Sequence, residues 1–245
     1  MSLIVGRKPV LEAINSGEEI EQVYILYGQK GGIVDVIRIA AKKRGIKVNQ
    51  ITPEKFKALT DHPNPQGIIA RKSSHKFNDI EEIISSSKNK QYPLLLLLDS
   101  IQDTHNLGAI LRSAECSDVD GVIITKYNSA PINETVIKTS AGATEYLKIA
   151  QVNNLVQAIK LLKDNGFWIA GSSLENSKTY TDVDYKIPLA LVLGNEEKGI
   201  RRLTAETCDI LINIPMKGKI QSLNVSVAAG IILFEILRQR NPKIL

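Results

Sequence analysis

Five short apolar runs constrain this chain more than any other feature: LLLLLD at 94–99, GVIIT at 121–125, FWIAG at 167–171, LALVLG at 189–194 and ILINIP at 210–215. They are continuous rather than alternating, and most are closed by Gly, Asp or Pro, as strands buried on both faces of a parallel sheet are. The segments NLGAILRSAECS, NETVIKTSAG, NNLVQAIKLLKDNG and NVSVAAGIILFEILRQR between and after them have helical spacing. The expected fold is therefore α/β, with a parallel sheet over residues 94–245. Ligands of such sheets bind at the carboxyl ends of the strands, so the loops that follow the runs are where chemistry is expected.

Residues 1–72 read as a separate, smaller α/β unit. Val10, Leu11 and Ile14 mark a helix, EQVYILYG a strand, GGIVDVIRIAAKKRG a second helix stopped by Gly45, and IKVNQI and QGIIARK two more strands. Residues 73–93 are polar and read as a linker with one short helix around Ile80, Ile83 and Ile84. The net charge of +5 lies entirely in the first unit, where 12 Lys and Arg stand against 7 Asp and Glu. A basic small domain beside a neutral larger one suggests that the first holds an anionic macromolecule while the second does chemistry. The alternative is that Lys42, Lys43 and Arg44 only solvate a helix end.

A hydrophobic content of 43% and a charged content of 23% exclude disordered and fibrous classes. The opening MSLIVGRKPVLEAI has neither the apolar core of a leader nor the length of a membrane span, so the protein is read as cytoplasmic. Cys116 and Cys208 lack metal-ligand spacing and are read as two buried reduced thiols, with no metal site expected.

Four loops carry unusual residues. In DSIQDTHNLGAILRSAE, Asn106 reads as a helix N-cap. Arg112 is placed near that helix start, where the dipole disfavours a cation, so an anionic partner is expected. In GNEEKGI, Gly194 and Gly199 permit close approach of the backbone to a ligand, and Glu196 can accept hydrogen bonds. No G-x-G-x-x-G dinucleotide fingerprint occurs. In PMKGKIQSLNVS, one of Ser222, Asn224 and Ser226 can cap the following helix, which leaves the others to explain. TSAGATEYL, with Ser140, Gly142 and Thr144, reads as a small-residue packing contact.

In this order, NLGAILRSAE, LVLGNEEKG and IPMKGKIQSLNVSVAAG resemble the three motifs of the SpoU-type (SPOUT superfamily, TrmH-like) RNA ribose 2′-O-methyltransferases. IVGRKPVLEAI and QGIIARK resemble the small substrate-binding domain, similar to ribosomal protein L30e, that precedes the catalytic domain in members acting on 23S ribosomal RNA. The resemblance implies an L30e-like domain, a SPOUT domain with a trefoil knot, S-adenosylmethionine as methyl donor, a homodimer, and a guanosine ribose of 23S ribosomal RNA as target. It places Asn106, Arg112, Glu196, Ser222 and Asn224 among the catalytic residues. Gly194, Ile214, Met216, Leu223 and Asn224 fall at the donor site, and Asn195 and Lys198 become replaceable fillers. A transfer RNA ribose, an adenosine in ribosomal RNA, or RNA binding without catalysis are the alternatives.

Methyl transfer from a sulfonium to a ribose hydroxyl needs oxygen, methyl carbon and sulfur in line, and a route for the hydroxyl proton. His105 is the one histidine inside a motif, yet it matches no functional position. Arg112 carries the base role in related enzymes, but guanidinium groups stay protonated. The physically preferred reading makes Arg112 a phosphate and alkoxide stabiliser, while Glu196, Asn224 and Ser222 orient groups and relay the proton.

Overall fold

The computed structural model describes residues 3–18, 20–72, 75–195, 198–220 and 222–241, and the chain divides into two compact units, Met1–Lys76 and Phe77–Leu245.

The first unit runs β1 (Leu3–Val5), α1 (Arg7–Asn15), β2 (Ile20–Leu26), α2 (Ile33–Lys43), β3 (Lys47–Ile51), α3 (Pro53–Leu59) and β4 (Ile68–Lys72). Its sheet has the order β1-β4-β2-β3, with β2 and β3 parallel and the other pairs antiparallel. Val10 and Ile14 of α1, Val34, Ile37 and Ala41 of α2, and Val23, Ile25 and Ile68 of the sheet form one core. Arg44 does not merely solvate a helix end: its guanidinium donates to the Ile14 and Gly17 carbonyls at 2.5 and 3.0 Å, which closes the end of α1. Lys42 and Lys43 stay exposed. β1 and α3 were not anticipated; β1 has three residues, too few to show a period.

The second unit runs α4 (Ile80–Ser87), β5 (Leu94–Asp99), α5 (Thr104–Cys116), β6 (Gly121–Thr125), α6 (Glu134–Thr139), β7 (Ile149–Val152), α7 (Leu155–Asp164), β8 (Trp168–Ser172), β9 (Lys178–Thr179), β10 (Leu189–Gly194), α8 (Arg202–Thr207), β11 (Ile210–Asn213) and α9 (Val225–Arg240). The strands form one parallel sheet, β7-β6-β5-β10-β8-β11-β9. The leucine run shows why no alternation was visible in the sequence. Leu94, Leu96 and Leu98 face a core shared with α5 and α9, while Leu95 and Leu97 face a second core shared with α4 and α7. Each of these leucines is at most 2% exposed, and such burial stabilises by roughly 2 kcal/mol per side chain.

The segment read as a linker instead carries α4 into this second core through Ile83 and Ile84. Gly121 at the start of β6 permits it, because a Cβ there would overlap the Ile83 side chain. The two short strands β7 and β9 were missed. Neither is an apolar run, and each is a strand because a neighbour offers an open edge to pair with.

Candidate active site

Gly194 closes β10 in register with Asp99 at the end of β5, so the loops leaving the two strands start side by side. The loop after β10 turns back at once, with Asn195 and Gly199 exchanging backbone hydrogen bonds of 3.0 and 2.9 Å. A Cβ on Gly194 would overlap the Gly199 carbonyl carbon and the Ile200 nitrogen, so only glycine lets the turn lie this close to the strand end. Gly199 has a φ of 65°, the left-handed region that glycine adopts without strain. Asn195 is no replaceable filler. Its Nδ2 donates to the Ser100 carbonyl at 3.2 Å, and its Oδ1 accepts from the Lys198 amide at 3.3 Å, which staples one strand-end loop to the other.

A cleft of about 760 Å³ opens against this turn. Five residues that the resemblance assigns to the catalytic or donor site line it together: Gly194, Ile214, Met216, Ser222 and Leu223. Val225 and Ala228, in the first turn of α9, add an apolar contribution. The segment from Ser172 to Asn176, after β8, also lines the cleft and was passed over in the sequence, although the same strand-end rule pointed to it. Asn213 lines it as well. Its Nδ2 donates to Ser177 Oγ at 2.9 Å, while its Oδ1 is buried with no partner among the described residues.

Asn106 is not the cap of α5. Asp103 is, accepting from the Asn106 amide at 2.8 Å, and Asn106 lies inside the first turn. Its side chain reaches another element: Asn224 Nδ2 donates to Asn106 Oδ1 at 2.9 Å. Asn224 is the cap of α9, and its Oδ1 accepts from the Ser226 amide at 2.9 Å and the Ser226 hydroxyl at 2.6 Å. One amide thus ends a helix and joins the first motif to the third. Asn224→Ala is expected to cost about 1 kcal/mol of stability through the lost cap. A calorimetric melt checks this; an unchanged melting temperature would show that the cap carries no weight.

Arg112 lies apart from this group. It is exposed and outside the cleft lining, and among the described residues it has no ion-pair or hydrogen-bond partner. It is also not near a helix start. α5 begins at Thr104, so Arg112 is past the middle of a 13-residue helix, where the dipole gives no reason for an anionic partner. Six residues at 100° each turn Arg112 about 120° around the helix from Asn106. Glu196 lies outside the described residues. His105 is exposed.

Small residues make close helix contacts possible near the site. A Cβ on Gly108 would stand 2.6 Å from the Thr139 Cβ, so α5 and α6 meet backbone to side chain there. In TSAGATEYL, Ser140 donates to the Ile137 carbonyl at 3.0 Å and Thr144 is buried, in keeping with a packing contact. The thiols differ from expectation: Cys116 is exposed. Burial pushes the Cys208 thiol up to about 12. A maleimide at pH 8 is expected to label Cys116 rapidly and Cys208 only on unfolding. Mass-spectrometric peptide mapping reads this out, and equal labelling of both would contradict it. Among the described residues no group of His, Cys, Asp or Glu could hold a metal ion, and no helix is long and apolar enough to cross a membrane.

A parallel sheet carrying a mixed polar and apolar cleft at its strand ends, beside a glycine turn, defines an α/β protein with a small-ligand site. Comparison with known proteins narrows this. Residues 93–234 match the SpoU rRNA methylase family, and residues 3–77 match the RNA 2′-O ribose methyltransferase substrate-binding family. A Staphylococcus saprophyticus protein assigned to the TrmH family of tRNA/rRNA methyltransferases is 41% identical over 98% of this chain and 96% of its own. Among solved structures, the AdoMet-bound rRNA methyltransferase from Sinorhizobium meliloti is similar with a TM-score of 0.62 and 26% identity, over 97% of this chain and 87% of that one. The TrmH/SpoU tRNA-modifying enzyme of A. aeolicus aligns with a TM-score of 0.58 and 34% identity, over 67% of this chain and 83% of that one. The chain belongs to the SpoU rRNA methylase family. It is an RNA methyltransferase with an N-terminal substrate-binding domain.

Proposed function

We propose that this protein transfers a methyl group from S-adenosylmethionine to a ribose 2′-hydroxyl of a guanosine in 23S ribosomal RNA, acting as a homodimer. One observation carries the choice of ribosomal over transfer RNA. The solved rRNA methyltransferase aligns over 97% of this chain, whereas the tRNA-modifying enzyme aligns over only 67%. The small domain is thus a feature shared with the former, and its surplus of basic residues suits an RNA backbone.

The cleft fits the donor on its own chemistry. The tight Gly194 turn brings main chain to the wall of the cleft, Asn213 Oδ1 is a buried acceptor with no partner among the described residues, and Ile214, Met216 and Leu223 give apolar contact for a purine. When bound, the donor supplies an electrophilic methyl on a positively charged sulfur. The protein's own residues bind and orient. Backbone at Gly194, Ile214 and Leu223 holds the donor, and the Asn106–Asn224 pair fixes the first motif against the third beside Ser222. Glu196, Asn224 and Ser222 orient groups and relay the hydroxyl proton, Asn224 by orienting, and Arg112 stabilises the developing alkoxide beside the target phosphate.

The homodimer accounts for the position of Arg112, which serves the cleft of a second copy. Val227 and Phe234, seven residues apart on one face of α9, are 49% and 39% exposed, an apolar surface suited to self-association. The trefoil threading of the C-terminal segment belongs to the same proposal, supported by the segments after β10 and β11 lining one cleft while α9 packs on α5.

The test is mass-spectrometric mapping of 2′-O-methylation in cells lacking the protein. Loss at one guanosine of 23S ribosomal RNA is expected, and loss at a transfer RNA or at an adenosine would overturn the substrate assignment. Millimolar S-adenosylmethionine is expected to raise the melting temperature, since a ligand of the native state stabilises it; no shift would sink the enzymatic reading.

A further inference from the structure

Asp99 is wholly buried at the carboxyl end of β5; its Oδ1 accepts from the Ser100 hydroxyl at 3.2 Å, and both of its oxygens also accept from one residue 102 positions away. Oδ2 accepts from the Arg201 amide at 3.0 Å and Oδ1 from Arg201 Nε at 2.7 Å. A buried carboxylate costs several kcal/mol unless paired, and removing one partner leaves the charge uncompensated. The Arg201 side chain is 54% exposed, so the pair stands at the carboxyl end of an interior strand with only its acidic half inside.

Its position in the chain gives the pair its consequence. Gly194 is in register with Asp99, and Arg201 ends the loop that leaves Gly194. The loop is therefore held at its beginning by the Gly194 turn and the Asn195 staple, and at its end by Asp99. Arg201 is also the N-cap residue of α8; its guanidinium, which has no acceptor to offer the helix amides, turns back to the sheet. Gly199 and Ile200 of the loop and Arg202, Ala205 and Glu206 of α8 all line the cleft. One ion pair thus anchors a complete side of it to the strand end that carries the first motif.

We propose that Asp99 and Arg201 are a positioning pair that sets the loop side of the donor cleft, so that weakening the pair loosens donor binding while the rate of methyl transfer at saturating donor is kept. This rests on the cleft being the donor site. Neither residue touches the donor in this account; both act through Gly199, Ile200 and α8.

The test compares the full-length wild type with Arg201→Ala, Arg201→Gln and Arg201→Lys, each of which keeps the backbone amide bond to Asp99. Calorimetry measures the dissociation constants of S-adenosylmethionine and S-adenosylhomocysteine, and steady-state kinetics separates kcat from the KM values of donor and RNA. For Arg201→Ala both dissociation constants are expected to rise about tenfold or more, with kcat and the RNA KM within about threefold of wild type. Arg201→Lys, which restores a single charged donor, is expected to recover most of the loss, and Arg201→Gln carries the comparison if Arg201→Ala gives no cooperative melt. Donor affinity within threefold of wild type in these variants overturns the proposal, even where the melting temperature falls, as does a loss confined to kcat or to RNA binding. A wild-type protein that binds neither S-adenosyl compound overturns the functional reading itself, and the positioning role with it.

Discussion

Gly194→Ala is expected to weaken S-adenosylmethionine binding on the order of a hundredfold while leaving a folded protein. The added methyl has nowhere to go, since its nearest neighbours are the main-chain atoms of Gly199 and Ile200 rather than the end of a side chain. Relief requires the turn to lift off the strand end. Overpacking of this kind costs roughly 3 kcal/mol at the upper end of its range, and 1.4 kcal/mol is a factor of about ten in affinity. The strand behind Gly194 remains paired on both sides by β5 and β8, so the sheet survives and the loss falls on the cleft. Gly218→Ala is the control, because a Cβ there would meet only the Ile220 nitrogen at 4.0 Å. Calorimetric titration decides between them. Donor binding by Gly194→Ala at wild-type strength would remove the turn from the donor site.

Arg112→Ala is expected to lower kcat by about a hundredfold or more with donor affinity unchanged, which is the cost of losing one charge-stabilising group at a reacting oxygen. The prediction follows from placement. Arg112 is exposed, spends no hydrogen bond within the described chain, and lies outside the cleft, so removing it disturbs neither the core nor the donor. Arg112→Lys keeps a cation on a flexible stem and is expected to retain part of the rate with an unchanged pH profile. A rate optimum displaced to lower pH in that variant would mean that the group accepts the proton, and the purely electrostatic role would fail. Turnover of Arg112→Ala within threefold of wild type would show that Arg112 takes no part in the reaction. Mixing Arg112→Ala with a donor-site variant such as Gly194→Ala asks whether one copy supplies the arginine to the other: a mixed dimer that recovers activity answers yes.

The parallel sheet was legible because runs such as LLLLL and LALVL are apolar at both parities, and a strand packed on both faces needs nothing more. Four loops of interest could be located from the same runs. What one chain position bonds to was less visible. Asn106 and Asp103 are both good caps by composition, and which of them starts α5 depends on where the chain leaves β5, a matter of backbone path rather than residue type. Asn195 looked like filler and Arg201 drew no notice because their partners, Ser100 and Asp99, lie about a hundred positions away. The segment after β8 was missed although it follows a strand that the sequence announced.

Local pattern by itself therefore determined the α/β class, the order of most helices and strands and the loops from which a site could be made, since burial on two faces and helical spacing are written in neighbouring residues. Only the tertiary structure decided that Gly194 needs to be glycine, that Asn224 joins two motifs while capping a helix, and that Asp99 holds Arg201. Each of these depends on backbone atoms brought together by the sheet across long stretches of chain, and contact at that separation has no local signature.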